Sequence, residues 1–180
     1  MTNNYFTYNQ LKDRGMSKID IERSVAEGVY ESLGKGIYVD LKFEHACFLP
    51  DATYLFKDGI YCLITALDIH GMTLRMPAYY DVASSRNTRD FSNSINTYHL
   101  HKFTGFGYKL GVETKIYGGE PVFVYDIEKT ICDVILHKDI MNPEDIQYCI
   151  DEYRRDRDDF TKLKSYAQIL GIADEVGAYL

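Results

Sequence analysis

Between Thr7 and Asp40 the apolar positions change period midway. Leu11 belongs to a short helix that Gly15-Met16 breaks, as glycine does where a chain leaves a helix in a left-handed turn. Ser17 follows as an N-cap with Asp20 three residues on, the spacing of a capping box. Ile21 and Val25 then lie at i and i+4 and form one buried face. Gly28 ends this second helix. Val29, Leu33 and Ile37 flank Gly34-Lys35-Gly36, a hairpin tip with a basic residue at its apex. Helix, sharp turn, helix and hairpin is the element order of a winged helix-turn-helix.

Met1 to Phe6 is short and polar, with nothing to anchor it. Winged modules commonly carry a further helix at this point, so the missing packing comes from the rest of the protein or the module is pared down. Leu41 to Pro50 reads as a connector with a domain boundary near Lys42, giving a module over 1–42 and a second domain over 43–180. Phe48 to His70 holds the next helix: Asp58-Gly59 opens it, Ile60, Leu63, Ile64 and Leu67 recur at helical spacing, and His70-Gly71 stops it. His70 there reads as a favourable C-terminal charge or cap. Strands are expected over 78–82 and 97–103, with a hairpin from Thr114 to Tyr125 around Gly118-Gly119. A polar loop, Ser84 to Asn96, separates the first two. Asp126 caps a helix with Ile127, Ile131, Val134 and Ile135 on its apolar face; Pro143 opens another, and shorter helical pieces surround Gly171. The fold class is therefore α+β: a winged helix-turn-helix, then an α+β domain with a small, mainly antiparallel sheet and a C-terminal helical tail.

Charge qualifies the first module. Its acids slightly outnumber its bases, whereas DNA affinity rests on neutralising phosphates. Asp20 is accounted for if it caps, and Glu27 if it faces away from the groove; Glu22 is not. The whole chain of 180 residues carries a net charge of −7, which argues against a general nucleic-acid coat or a membrane-surface protein. Cys47, Cys62, Cys132 and Cys149 form no C-x-x-C pair, and Cys62 and Cys132 read as small buried hydrophobes. With no signal peptide at the amino end, a reduced cytoplasmic compartment is expected. The longest apolar run, Ile60 to Leu67, is too short to span a bilayer.

Several constellations could carry chemistry. From His70 to Lys115 bases outnumber acids (Arg75, Arg86, Arg89 and Lys102 among them) with Tyr98, Phe103 and Tyr108 interleaved, a mixture that can track a nucleic-acid backbone and stack on bases. It is equally the mixture of ordinary aromatic-rich strands. His99 and His101 would share one side of a strand, a spacing that can hold a metal, but no Cys or carboxylate completes the set. Glu113-Thr114-Lys115, with Pro50-Asp51 upstream, has the short pattern of a Mg²⁺ nuclease, although Pro50-Asp51 precedes a helix instead of ending a strand. No nucleophile elbow or phosphate-binding glycine loop is present. Asp126-Ile127-Glu128-Lys129-Thr130 with Asp133 reads as capping and local ion pairs at a helix start. The charged run Asp151 to Asp159 reads as a solvated helix face.

Three stretches in this order resemble the AbiEi family of antitoxins, from the AbiE abortive-infection, type IV toxin–antitoxin systems of bacteria and archaea. GMSKIDIERSVAEGVYESLGKGIYV resembles the family's winged helix-turn-helix with its Gly-aliphatic-Tyr hairpin. ITALDIHGMTLRMP resembles its helix closing in His-Gly ahead of a proline. VFVYDIEKTICDVI resembles its strand–turn–helix with Glu-Lys-Thr and a following Asp. The resemblance implies a non-enzymatic transcriptional repressor in phage defence. Such a protein binds inverted repeats in double-stranded DNA at its own promoter and counters a nucleotidyltransferase-like toxin, often without a stable complex between the two. Carried to matching positions, the DNA contacts are Ser17, Lys18 and Arg23 on the second helix and Lys35 on the wing, with Arg14 a phosphate contact near the turn. Arg75, Arg86, Arg89 and Lys102 would add basic surface. The resemblance implies no catalytic residues, no cofactor, no metal and no membrane partner. Two alternatives stand beside it: a protein-interaction module without DNA binding, and a metal-dependent nuclease. The operator, the toxin and the oligomeric state are not readable from the sequence.

Overall fold

A computed structural model of the chain describes residues 4–42, 48–85, 89–93, 96–157 and 159–180. The chain folds as α+β. Its first unit runs β1 (Tyr5–Thr7), α1 (Tyr8–Asp13), α2 (Lys18–Ala26), β2 (Tyr30–Gly34) and β3 (Ile37–Asp40), with a three-stranded antiparallel sheet in the order β1-β3-β2. Ser17 and Asp20 form the reciprocal capping box at the start of α2. Lys35 and Gly36, at φ 52° and 73°, make the two-residue turn between β2 and β3, the pair of left-handed residues that matches strand twist in a tight hairpin.

The amino-terminal residues correct the expectation of an unanchored start. Tyr5 to Thr7 pair with Ile37 to Val39, and Tyr5 and Phe6 are buried. Three residues are too few to carry a readable period; β1 exists because β3 offers it an edge. Thr7 then caps α1. Phe6 packs with Leu11 and Ile21 in a small core of their own. Tyr5, Leu33 and Val39 instead join a second core that includes Ala52, Leu55 and Phe56, so packing is continuous past Lys42.

The helix expected to open at Asp58-Gly59 and stop at His70-Gly71 is a strand followed by a helix, β4 (Ile60–Tyr61) and α4 (Leu63–Ile69), and a further helix, α3 (Leu49–Leu55), precedes them. Ile60 and Tyr61 fit a helical period in sequence, but they are held between two other strands. A short apolar run buried on both faces suits a central strand as well as a helix, and the sheet decides. The sheet is also larger than expected, and mixed. It comprises β4, β5 (Tyr80–Ser84), β6 (Phe91–Ser92), β7 (Thr97–Lys102), β8 (Val112–Tyr117) and β9 (Glu120–Tyr125) in the order β6-β7-β5-β4-β9-β8. β6/β7, β4/β5 and β8/β9 are antiparallel, while β5/β7 and β4/β9 are parallel.

Between β7 and β8 lies α5 (Gly105–Lys109), a single turn with two glycines and too short to show a helical period. After β9 come α6 (Ile127–Leu136), α7 (Pro143–Asp156), α8 (Thr161–Leu170) and α9 (Ala173–Gly177). Alternate strand residues serve two cores. Ile60, Ala83 and Tyr125 face the helical layer of α4, α6, α7, α8 and α9. Tyr61, Val82, Tyr98, Val122 and Val124 face α3 and the first unit. At the end of α4, His70 is a C-cap, but not through charge. Burial pushes its pKa down, and its Nε2 lies 2.7 Å from the Tyr125 carbonyl oxygen. It is therefore the neutral ring whose Nε2–H donates there, leaving Nδ1 to accept from Lys115 Nζ at 3.2 Å.

Candidate nucleic-acid interface

The outer side of α2 is bare. Ile21 points into the small core, Val25 is half-buried, and Ser17, Lys18, Ile19, Glu22 and Arg23 are exposed. The capping box organises the start of this face. The Asp20 N–H donates to Ser17 Oγ at 3.2 Å, and the Ser17 N–H and hydroxyl donate to Asp20 Oδ2 at 2.9 and 2.6 Å. These bonds from Ser17 hold the Asp20 carboxyl below the usual carboxylate range.

Both cations of the face are already matched. Lys18 Nζ is 3.6 Å from Glu22 Oε1, and Arg23 Nη1 is 3.7 Å from Asp20 Oδ1. Glu22, the acid without an obvious role in the sequence, is thus the i+4 partner of Lys18. Pairs this exposed contribute little to stability, because water and salt screen them. They weaken a cation's long-range pull without fixing its position. Arg14 lies near the turn with its guanidinium 4.0 Å from the centre of the Phe6 ring.

Lys35 stands apart from this group. Its ammonium is 3.9 Å from the centre of the Phe56 ring and 4.4 Å from that of Phe91, and burial lowers its pKa. The hairpin tip around it is seated on the larger unit. The Asn93 side-chain amide donates to the Leu33 carbonyl at 3.2 Å, and a Cβ on Gly34 would meet the Phe91 ring at 2.8 Å. Four of the five expected DNA contacts therefore lie on or beside α2, and the fifth is turned onto two aromatic rings.

Of the additional basic residues, Arg75 and Lys102 border different hollows. Arg75 is held by Glu144 at 2.9 Å and Asp145 at 3.1 Å, beside a hollow of about 470 Å³ that His99 and His101 also line. Lys102 borders a different hollow, of about 450 Å³, floored by Lys129 and Asp133. Arg89 is exposed, and Arg86 lies outside the described residues.

No family model matches the chain, and no curated protein does.

The remaining constellations find protein partners. His101 Nε2 is 2.6 Å from the buried Asp81 Oδ1, and His99 stacks on Tyr79 at 3.9 Å. Among the described residues, no group of three His, Cys, Asp or Glu side chains is arranged to hold a metal. Lys115 lies 3.7 Å from Glu113 and also meets His70, while Asp51 is buried in α3 and accepts from the Tyr5 hydroxyl at 2.7 Å. The acid and the acid-x-Lys element thus answer to different neighbours. Two features have no local signal in the sequence: the pairing of His101 with the buried Asp81, twenty residues away, and the depth of the Lys129–Asp133 pair. The latter pair is signalled by its i,i+4 spacing, but spacing carries no information about burial.

Proposed function

We propose that the chain is a cytoplasmic, non-enzymatic DNA-binding antitoxin of the AbiEi type. On this reading residues 1–42 are a winged helix-turn-helix that represses its own operon by binding inverted repeats at the promoter, and residues 43–180 contribute to countering a nucleotidyltransferase-like toxin. The observation that carries the reading is the exposed polar side of α2, on a helix whose other side is fixed by Ile21. The order β1-α1-α2-β2-β3, with β3 between β1 and β2, supports it as the arrangement a winged module uses to present its second helix to the major groove. Ser17, Lys18 and Arg23, with Arg14 beside them, are the principal contacts. Lys35 contributes only after leaving Phe56 and Phe91.

Titrating the protein against its own upstream DNA in gel shifts at two salt concentrations tests this. Specific binding with a steep salt dependence is expected. Lys18→Ala or Arg23→Ala should weaken it and lower the salt slope by about one counterion per lost phosphate contact. Absence of any shifted band at either salt would remove the repressor assignment.

That result would favour the second reading, a protein-interaction module. Ile19, 66% exposed on the same face as the self-matched Lys18 and Arg23, is the observation on its side.

A further inference from the structure

β8 is the outermost strand of the six-stranded sheet among the described residues, and the hydrogen bonds to β9 fix which of its main-chain groups face outward. The Asp126 N–H donates to the Gly111 carbonyl at 2.6 Å, and the β8/β9 register runs unbroken from Val112↔Tyr125 to Tyr117↔Glu120. Main-chain groups alternate sides along an antiparallel ladder. Glu113 and Lys115 therefore turn their N–H and C=O toward β9, and Val112, Thr114 and Ile116 turn theirs outward. Pro121 sits opposite Ile116, where no ladder bond is made, as a proline in a strand requires. The same outward-bonding residues carry the exposed side chains: Val112 is 39% and Ile116 65% exposed. An edge of this kind is a template for another strand.

The sequence of the edge says which strand fits. Among the antiparallel two-fold pairings of β8 with itself, those centred on Glu113, Thr114 and Lys115 differ in the charges they bring opposite each other. Centring on Glu113 opposes two carboxylates, and centring on Lys115 opposes two ammonium groups. Like charges directly opposite each other destabilise a pair of strands. Centring on Thr114 sets Glu113 of each copy against Lys115 of the other. It also sets Val112 against Ile116 twice, and threonine against threonine. Every one of these is a favourable cross-strand pair. Val-Glu-Thr-Lys-Ile is thus its own complement in charge and in hydropathy, read backwards.

We infer that β8 is a homodimer edge: two copies of this chain pair antiparallel through β8 about a two-fold axis at Thr114, joining their sheets into one. A single strand-to-strand contact is small, so the pairing is weak in free solution. It gains where two copies are held close together, because effective concentration then replaces bulk concentration. The inference stands on the edge alone and does not depend on DNA binding.

Directed cross-linking of the full-length protein without DNA tests it. Directly paired residues have Cα atoms about 5.5 Å apart, inside disulfide range, whereas residues offset by two lie beyond the roughly 7 Å limit. Under mild oxidation Thr114→Cys should give a disulfide-linked dimer, while Glu113→Cys, Lys115→Cys and the parent with its native cysteines should not. Adding Glu113→Lys to Thr114→Cys should suppress the dimer, and adding Lys115→Glu to that pair should restore it. The inference is overturned if Thr114→Cys remains monomeric, if Glu113→Cys or Lys115→Cys links equally fast, or if the charge reversal has no effect.

Discussion

The starts of α2 and α6 share one grammar and differ in what it is worth. Each opens on a side-chain cap, Ser17 in one and Asp126 in the other, and each carries a Lys paired to an acid one turn on. In α2 the Lys18 and Glu22 side chains are 73% and 65% exposed; in α6 those of Lys129 and Asp133 are 1% and 2% exposed. Water screens the first pair almost completely. The second lies beneath aromatic rings, with the Lys129 ammonium 4.3 Å from the centre of Tyr125 and 5.0 Å from that of Phe103. Burial raises the Asp133 pKa and Lys129 opposes that rise. The lesson is that a charged side chain near a helix start is free to take a new partner in one place and locked by desolvation in the other. A binding face has to be built from the first kind.

The sharpest contrast lies between the two sides of α2 itself. Ile21→Asp puts a charge without a partner into the Phe6–Leu11–Ile21 core and should cost more than about 4 kcal/mol. Loss of protection of the amides of residues 5–40 in hydrogen exchange would register it, and protection equal to the parent's would contradict the burial pattern. Lys129→Ala strands Asp133 in the interior and should cost about 3–5 kcal/mol, whereas the double change Lys129→Met/Asp133→Leu should recover most of that loss. Denaturant midpoints of the three proteins make the comparison.

Protonation probes the buried side more gently. Burial depresses the pKa of both His70 and His137, so the stability their neutral forms contribute is complete above the unfolded value of about 6.5. It is lost as pH falls through their lower folded values. Asp133 works in the opposite direction, because an acid with a raised pKa stabilises the fold as it takes up a proton. The quantity to measure is therefore a difference. Between about pH 7.5 and about pH 5 the parent should lose more stability in urea melts than His70→Gln, and equal losses would show that His70 charges without penalty. The smallest effect is expected on the exposed side, where Lys18→Ala should move stability by no more than about 0.5 kcal/mol. A larger shift would mean that the Lys18–Glu22 pair is structural, and the comparison would blur.

Sequence patterns reached this architecture unevenly. The capping box at Ser17 and Asp20, the hairpin at Lys35, the cap at Asp126 and the proline start of α7 were legible because each is set by residues within a turn of one another. β1 and β4 were not, since each is too short to show a period and is made by strands far away in the chain. The same limit applied to the interface. Ser17, Lys18 and Arg23 can be placed on one exposed helix face because α2 is set locally, but nothing local to Gly34-Lys35-Gly36 foretells that Phe56 and Phe91 lie beside the ammonium.

One practical consequence concerns the residues ahead of the first helix. Tyr5 supplies a sheet partner for Val39, a stacking face for Tyr54 at 4.0 Å and a hydroxyl for Asp51. A shortened clone beginning at Thr7 would therefore unzip a seam between the smaller and the larger unit, where it was meant only to trim an end. Fusion tags at this terminus call for a spacer long enough that Tyr5 can still reach its slot.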